Sequence, residues 1–170
     1  MSTTIIRNAR REEIPLIRQQ RVEAYEPYSQ VLTNEHWHAL KGTLSSENDT
    51  KEGVDLIVAQ LGEEIVGSVV LFPAETDAYE WIGALQYPEL RMLAVVPKGR
   101  GHGIGKALVQ ECVNRTKQRG YTKMGLHTGE FMKSAIQLYE QFGFKRVPEH
   151  DFQPANDGVN VRAYVLDLLN

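Results

Sequence analysis

At 170 residues, 42% hydrophobic and 24% charged, the chain has the size and composition of one folded domain rather than of a disordered segment. Its single cysteine, Cys112, cannot form an internal disulfide, which fits a reducing, cytoplasmic setting, and no apolar run is long enough for a signal peptide or a membrane helix. A formal net charge of −3 argues against a nucleic-acid surface spread over the whole domain.

In chain order, Thr4 to Arg7 reads as a short strand, and Arg11 to Ala24 as a helix with Ile14, Ile17 and Val22 on its apolar side and Pro15 in its first turn. A second helical segment, Asn34 to Leu44, carries Trp37, Leu40 and Leu44. Asp55 to Gln60 and Ile65 to Phe72 are rich in Val, Ile and Leu around Leu61-Gly62-Glu63-Glu64, which predicts an antiparallel hairpin. The stretch from Ala74 to Pro88 reads as a loop or short helix over the sheet. Glu89 to Val96 is a strand that stops at Pro97. From Ile104 the positions Ile104, Leu108, Cys112 and Val113 form a buried helical face, ended by Lys117, Arg119 and Gly120. Lys123 to Thr128 is a strand, Lys133 to Phe142 a helix stopped by Gly143, and Phe144 to Val147 and Val159 to Leu168 are closing strands. Strands first, then strand–helix–strand–helix–strand, predicts an α/β fold with a mixed sheet and helices on both faces.

The informative stretch joins the strand at Glu89 to the helix at Ile104. A helix start offers unpaired N–H groups and the positive end of the dipole, so it can hold an anion. Gly101, Gly103 and Gly105 would let a phosphate approach the backbone, and Lys98, Arg100, His102 and Lys106 add positive charge. Spacing excludes the common phosphate loops. A P-loop would need Gly at Arg100 and Ser or Thr at Ala107; a dinucleotide fingerprint would need Gly at Lys106 or Gly or Ala at Leu108. A plain glycine-rich turn is the bland alternative, disfavoured by the four basic residues and the strand–loop–helix setting.

Arg100-Gly101-His102-Gly103-Ile104-Gly105 resembles the Arg/Gln-x-x-Gly-x-Gly/Ala signature of the GNAT superfamily of N-acetyltransferases. The strand Leu90 to Pro97 resembles that family's cofactor strand, and Leu138-Tyr139-Glu140-Gln141-Phe142-Gly143-Phe144 its Leu-Tyr-x-x-x-Gly-Phe motif. The resemblance implies a GNAT-like, mostly antiparallel mixed sheet and acetyl-CoA as co-substrate. Its pyrophosphate would lie on Arg100, Gly101, His102, Gly103, Ile104, Gly105 and Lys106, and its pantetheine arm along Leu93, Ala94 and Val95. It also implies direct transfer to an amine, with Tyr139 as general acid. Met132 departs from the family, which commonly has Asn there. Homodimers are common in the family.

Glu89 is the candidate base. On simple strand alternation it shares a face with Arg91, Leu93 and Val95, unless a bulge intervenes. Glu75, Asp77 and Glu80, beside Tyr79, Trp81 and Tyr87, lie in a segment without Lys or Arg, which predicts an acidic wall and a small cationic amine as acceptor. His36 and His38 would point to different helix faces, so no metal site is expected. His127 reads as structural, and Cys112 as inert core packing. Two other readings stay open here. One is a catalytically silent CoA-binding sensor; the other is a nucleotide-phosphate binder of another class, which the failed spacings disfavour.

Overall fold

The computed structural model describes residues 3–74 and 86–169. Strand β1 (Thr4–Asn8) leads through a 3-10 turn at Arg11–Glu13 into helix α1 (Ile14–Tyr25), so the helix expected from Arg11 begins one tight turn later. Glu13 explains the delay. Its carboxylate accepts from the Arg10 backbone N–H at 2.7 Å and pairs with Arg7 at 2.8 Å, which holds the chain in the tighter turn. Helix α2 (Asn34–Leu44) starts where predicted, because the Thr33 hydroxyl accepts from the His36 N–H at 3.1 Å. Strands β2 (Asp55–Leu61) and β3 (Glu64–Phe72) form the expected hairpin, turning at Gly62 with φ +63°.

Strand β4 (Glu89–Val95) passes through a single turn, Pro97–Gly99, toward helix α3 (Ile104–Gln118). Strand β5 (Lys123–Gly129), helix α4 (Lys133–Phe142), a two-residue strand β6 (Lys145–Arg146) and strand β7 (Val161–Asp167) complete the order. The last two strands are shorter than predicted. Between them Pro148, Pro154 and Gly158 interrupt pairing, and the segment instead closes against β7 through the Phe152–Val161 bridge.

The seven strands lie in the order β1-β2-β3-β4-β5-β7-β6, all antiparallel except β4 beside β5. Alternation along β2 and β3 sends Ile57, Ala59, Val69 and Leu71 to one face, against Ile104, Leu108 and Cys112 of α3 and Ile136 and Tyr139 of α4. Leu56, Val58, Val70 and Phe72 face the other way, onto Ile17 of α1. Gly67 of β3 allows α3 to lie close, since a Cβ there would come within 2.8 Å of Ile104 Cγ2.

A buried ion pair ties α1 to the 3-10 turn Glu47–Thr50 that follows α2. Arg21 of α1 donates through Nη1 to the Leu44 carbonyl at the end of α2, at 2.8 Å, and to Asp49 at 3.0 Å; neither charged side chain is exposed. Arg18 also reaches Asp49, at 2.7 Å. Burial alone would make the Arg21 guanidinium less basic, and Asp49 is the group that opposes this. Removing one member of such a pair leaves a buried charge uncompensated. Asp49→Ala is therefore expected to destabilise the protein by about 3–5 kcal/mol, read as a shift of the urea midpoint; a change under about 1 kcal/mol would show the pair to be neutral.

Candidate active site

The site is built where β4 and β5 part. They pair only at Glu89 with Gly125 and Leu90 with Leu126, and no other described strand lies beside Arg91–Val95 on that side. Parallel neighbours would normally continue the ladder, so the parting leaves β4 backbone groups facing a wedge. A bulge lies at the same level. Ser68 pairs with Ala94 but Val70 with Arg91, so β4 holds one extra residue, and Met92 takes φ +57°.

The bulge corrects the facing expected from simple alternation. Leu93 and Val95 turn to the α3/α4 side, whereas Arg91 lies over the Phe72 ring and Met92 and Ala94 pack on the α1/α2 side. Glu89 and Arg91 therefore do not share a face with Leu93 and Val95. The Tyr25 hydroxyl of α1 donates to the Leu93 carbonyl at 2.9 Å and holds the bulge in place.

The glycine loop sits at the wide end of the wedge. The Val96 N–H donates to the Val66 carbonyl at 2.9 Å, and Gly101 and Gly103 adopt φ of +81° and +71°. Gly103 is the N-cap of α3, which has neither a side-chain cap nor an acid in its first turn. Arg100, His102 and Lys106 are exposed around it, while Ile104 is buried as the anchor of the helix. Lys98 is drawn away, to Glu64 at 2.8 Å. Gly105 has a different surrounding from the one expected: a Cβ there would lie 3.3 Å from Leu138 Cδ2, so this glycine lets α4 approach α3.

A cavity of about 230 Å³ opens on the α1/α2 side of the wedge. Leu40 and Leu44 of α2, Met92, Phe131, Met132 and Phe152 supply apolar walls, and Tyr25, His36, Arg91, His127 and Tyr139 the polar points. Tyr139 reaches in from α4, its ring edge-on to Phe144 with centroids 5.8 Å apart. Burial is the main cause that raises its hydroxyl well above the ordinary tyrosine value, so at neutral pH it is a proton donor. Met132 adds an apolar wall and takes the Thr128 hydroxyl on its sulfur at 3.6 Å.

Glu89 does not line this cavity. Its carboxylate, 1% exposed, meets His127 Nδ1 at 2.7 Å, and it is His127 that faces the cavity. The sequence reading missed this pairing, because Glu89 and His127 are brought together only by the two-residue parallel register. His36 pairs through Nδ1 with Asp157 at 2.9 Å, and among the described residues no cluster suits a metal ion. Cys112 is fully buried and its thiol is pushed up to about 12, as inert as expected. Glu75, Asp77 and Glu80, with Tyr79 and Trp81, lie outside the described residues. The Tyr87 ring covers Gly125, 2.5 Å from where a Cβ would stand.

The profile of the acetyltransferase (GNAT) family matches residues 15–144. The chain belongs to this family. It is 36% identical over 89 residues to N-acetyltransferase family 8 member 2 of Rattus norvegicus, covering 52% of this chain and 38% of the relative. It is 32% identical over 97 residues to N-acetyltransferase 8B of Homo sapiens, covering 56% and 40%. The chain thus spans about two-fifths of the length of the curated relatives it matches. An acetyltransferase of the GNAT family from Staphylococcus aureus Mu50 shares the fold over 98% of this chain and 99% of its own, with a TM-score of 0.72 at 16% identity.

The buried phenol has a consequence for stability. Above about pH 10 an unfolded tyrosine ionises, whereas buried Tyr139 keeps its proton. The unfolded state then binds fewer protons, so stability falls as pH rises. Tyr139→Phe is expected to flatten that fall by up to about 1.4 kcal/mol per pH unit, read from urea midpoints between about pH 10 and pH 11. Equal slopes in the two proteins would mean that this phenol titrates normally.

Proposed function

We propose that this GNAT chain transfers an acetyl group from acetyl-CoA directly to the primary amine of a small molecule. The observation that carries the reading is the wedge between β4 and β5, with the uncapped start of α3 at its wide end and the protonated Tyr139 on its wall. The N–H groups from Arg100 to Lys106 suit the pyrophosphate, and the β4 edge at Leu93, Ala94 and Val95 suits the amide-bearing arm. Met132 brings no polar contact of the kind an Asn would make.

In the transfer, the amine nitrogen bonds to the thioester carbon and the carbon–sulfur bond breaks. The departing sulfur takes the Tyr139 proton, and the nitrogen gives up one proton as it becomes an amide, so the phenol is restored. Backbone donors on the β4 edge stabilise the oxygen as it gains charge. The apolar walls at Leu40, Leu44, Phe131 and Phe152 fit an amine with an aryl or alkyl body.

Acetyl-CoA at about 100 times its Kd should add about 2.7 kcal/mol of stability, seen as a raised melting temperature, and ATP and NAD should add none. Gly103→Val, which forces a branched side chain to φ +71°, should abolish that shift while the far-UV signal of the fold remains. A normal shift in the variant would reduce the loop to a plain turn. Tyr139→Phe should lower kcat by about 10²-fold in a thiol-release assay with phenethylamine and leave acetyl-CoA binding unchanged. Unchanged kcat where chemistry limits the rate would return Tyr139 to the core.

A further inference from the structure

One stripe of α2 lines the cavity along most of its length. His36, Ala39, Leu40, Thr43 and Leu44 recur at the three- and four-residue spacing of a single helix face. The two ends of the stripe differ. Leu44 packs in one cluster with Ala94 and with Tyr25, whose hydroxyl holds the Leu93 carbonyl, so this end of α2 lies by the β4 edge. His36 is eight residues earlier, about 12 Å along the helix axis. An acceptor whose amine reaches the β4 edge therefore extends its other end toward His36.

The ring at that far end is held in one orientation. The Thr33 hydroxyl accepts from the His36 N–H at 3.1 Å and donates to Asp157 Oδ2 at 3.3 Å; the same oxygen meets His36 Nδ1 at 2.9 Å. The Val159 N–H donates to the other carboxylate oxygen at 3.1 Å. The bond from His36 is the main cause that holds the Asp157 carboxyl below its usual range, so at neutral pH it is an anion that only accepts, and Nδ1 is the donor. Nε2 has no hydrogen-bond partner among the described residues, and the side chain, 5% exposed, lines the cavity. The rest of the stripe offers no second polar tip. Ala39 and Leu40 are apolar, and the Thr43 hydroxyl is turned back onto the Ala39 carbonyl at 3.2 Å.

We propose that His36 selects an acceptor with a hydroxyl at the end remote from its amine, by hydrogen-bonding that hydroxyl through Nε2. This rests on the acetyl-transfer reading above and names the kind of amine it uses. A hydroxyl suits the position because it donates to the Nε2 lone pair of a neutral ring and accepts from a protonated one. A carboxylate would meet the Asp157 anion behind the ring. A second ammonium would lose its hydration in a cavity lined by no acid among the described residues. An apolar tail would fit the walls, yet it would strip water from Nε2 without replacing the bond. Sites built to bond a hydroxyl reject the analogue lacking it for that reason.

The experiment compares a homologous series of amino alcohols, each with its hydroxyl at the chain end opposite the amine, with alkylamines of equal chain length. For short chains the hydroxyl falls among apolar walls, and kcat/KM should not exceed that of the alkylamine. At the length that spans the cavity the alcohol should be favoured about 10-fold. His36→Leu should remove that preference and leave kcat/KM for the alkylamines and the acetyl-CoA KM unchanged. His36→Gln, which keeps a hydrogen-bonding tip, should retain part of it. A ratio that stays flat with length, or one that survives His36→Leu, would overturn the assignment. Equal losses on both series in His36→Leu would also overturn it, since they would show that the ring only holds α2 in place. A separate arm uses the wild-type protein and needs no transfer. With CoA present, the nitrogen-15 resonance of His36 Nε2 should move as the longer amino alcohols are added and stay in place with the alkylamines. Equal movement with both, or none with either, would sink the proposal. Wild-type protein that acetylates neither series would count against the transfer reading, while the resonance still decides whether His36 reads a hydroxyl.

Discussion

Two strands that run parallel for two residues and then separate open one side of β4 from Arg91 to Val95, where no other described strand continues the ladder, and backbone groups beyond a ladder are costly unless something else bonds to them. The rest of the site follows from that separation. The bulge at Met92 turns β4 away from β5, and Tyr25 fixes the turned segment by donating to the Leu93 carbonyl. The open edge can then be satisfied by a ligand rather than by a strand. Because α3 begins just beyond the wide end of the wedge, its unpaired N–H groups add an anion-attracting terminus in line with that edge.

Features set by local spacing were legible in the sequence. The hairpin at Gly62, the α3 face from Ile104 to Val113 and the Gly143 stop all lie where the periodicity and turn residues place them. The bulge was not legible, since Met92 holds a positive φ without the glycine that would have marked it. One unmarked residue moved Leu93 and Val95 to the opposite face from Arg91. Gly105 shows a related limit: a glycine in a phosphate-like loop and a glycine at a helix crossing look the same until Leu138 is seen beside it.

Glu89 and His127 show why chemistry was harder to read than fold. Each alone has an ordinary explanation, a strand-end acid and a strand histidine. Their meaning depends on a register between residues 38 apart in sequence, set after the chain has crossed through α3. Sequence spacing carries no trace of that register. Position on an element can be read from periodicity, but partnership across a crossover requires the sheet.

The cavity walls come from six separate stretches of the chain, and ion pairs hold three of them. Arg21, bonded to Asp49 and to the Leu44 carbonyl, fixes the end of α2 and the turn after it against α1, and His36 with Asp157 fixes its start against the segment that precedes β7. Arg146 with Asp151 holds that same segment to β6, while Asp151 also accepts from the Ala163 N–H at 2.8 Å. Between these anchors the lining is mostly apolar. Hydrophobic packing alone is non-directional and would let α2 slide along the sheet. Charged pairs with fixed hydrogen-bond geometry resist sliding even where their net contribution to stability is small. The buried pairs thus tie α2 to α1 at one end and to the segment before β7 at the other, beside the cavity in which His127 and Tyr139 both stand.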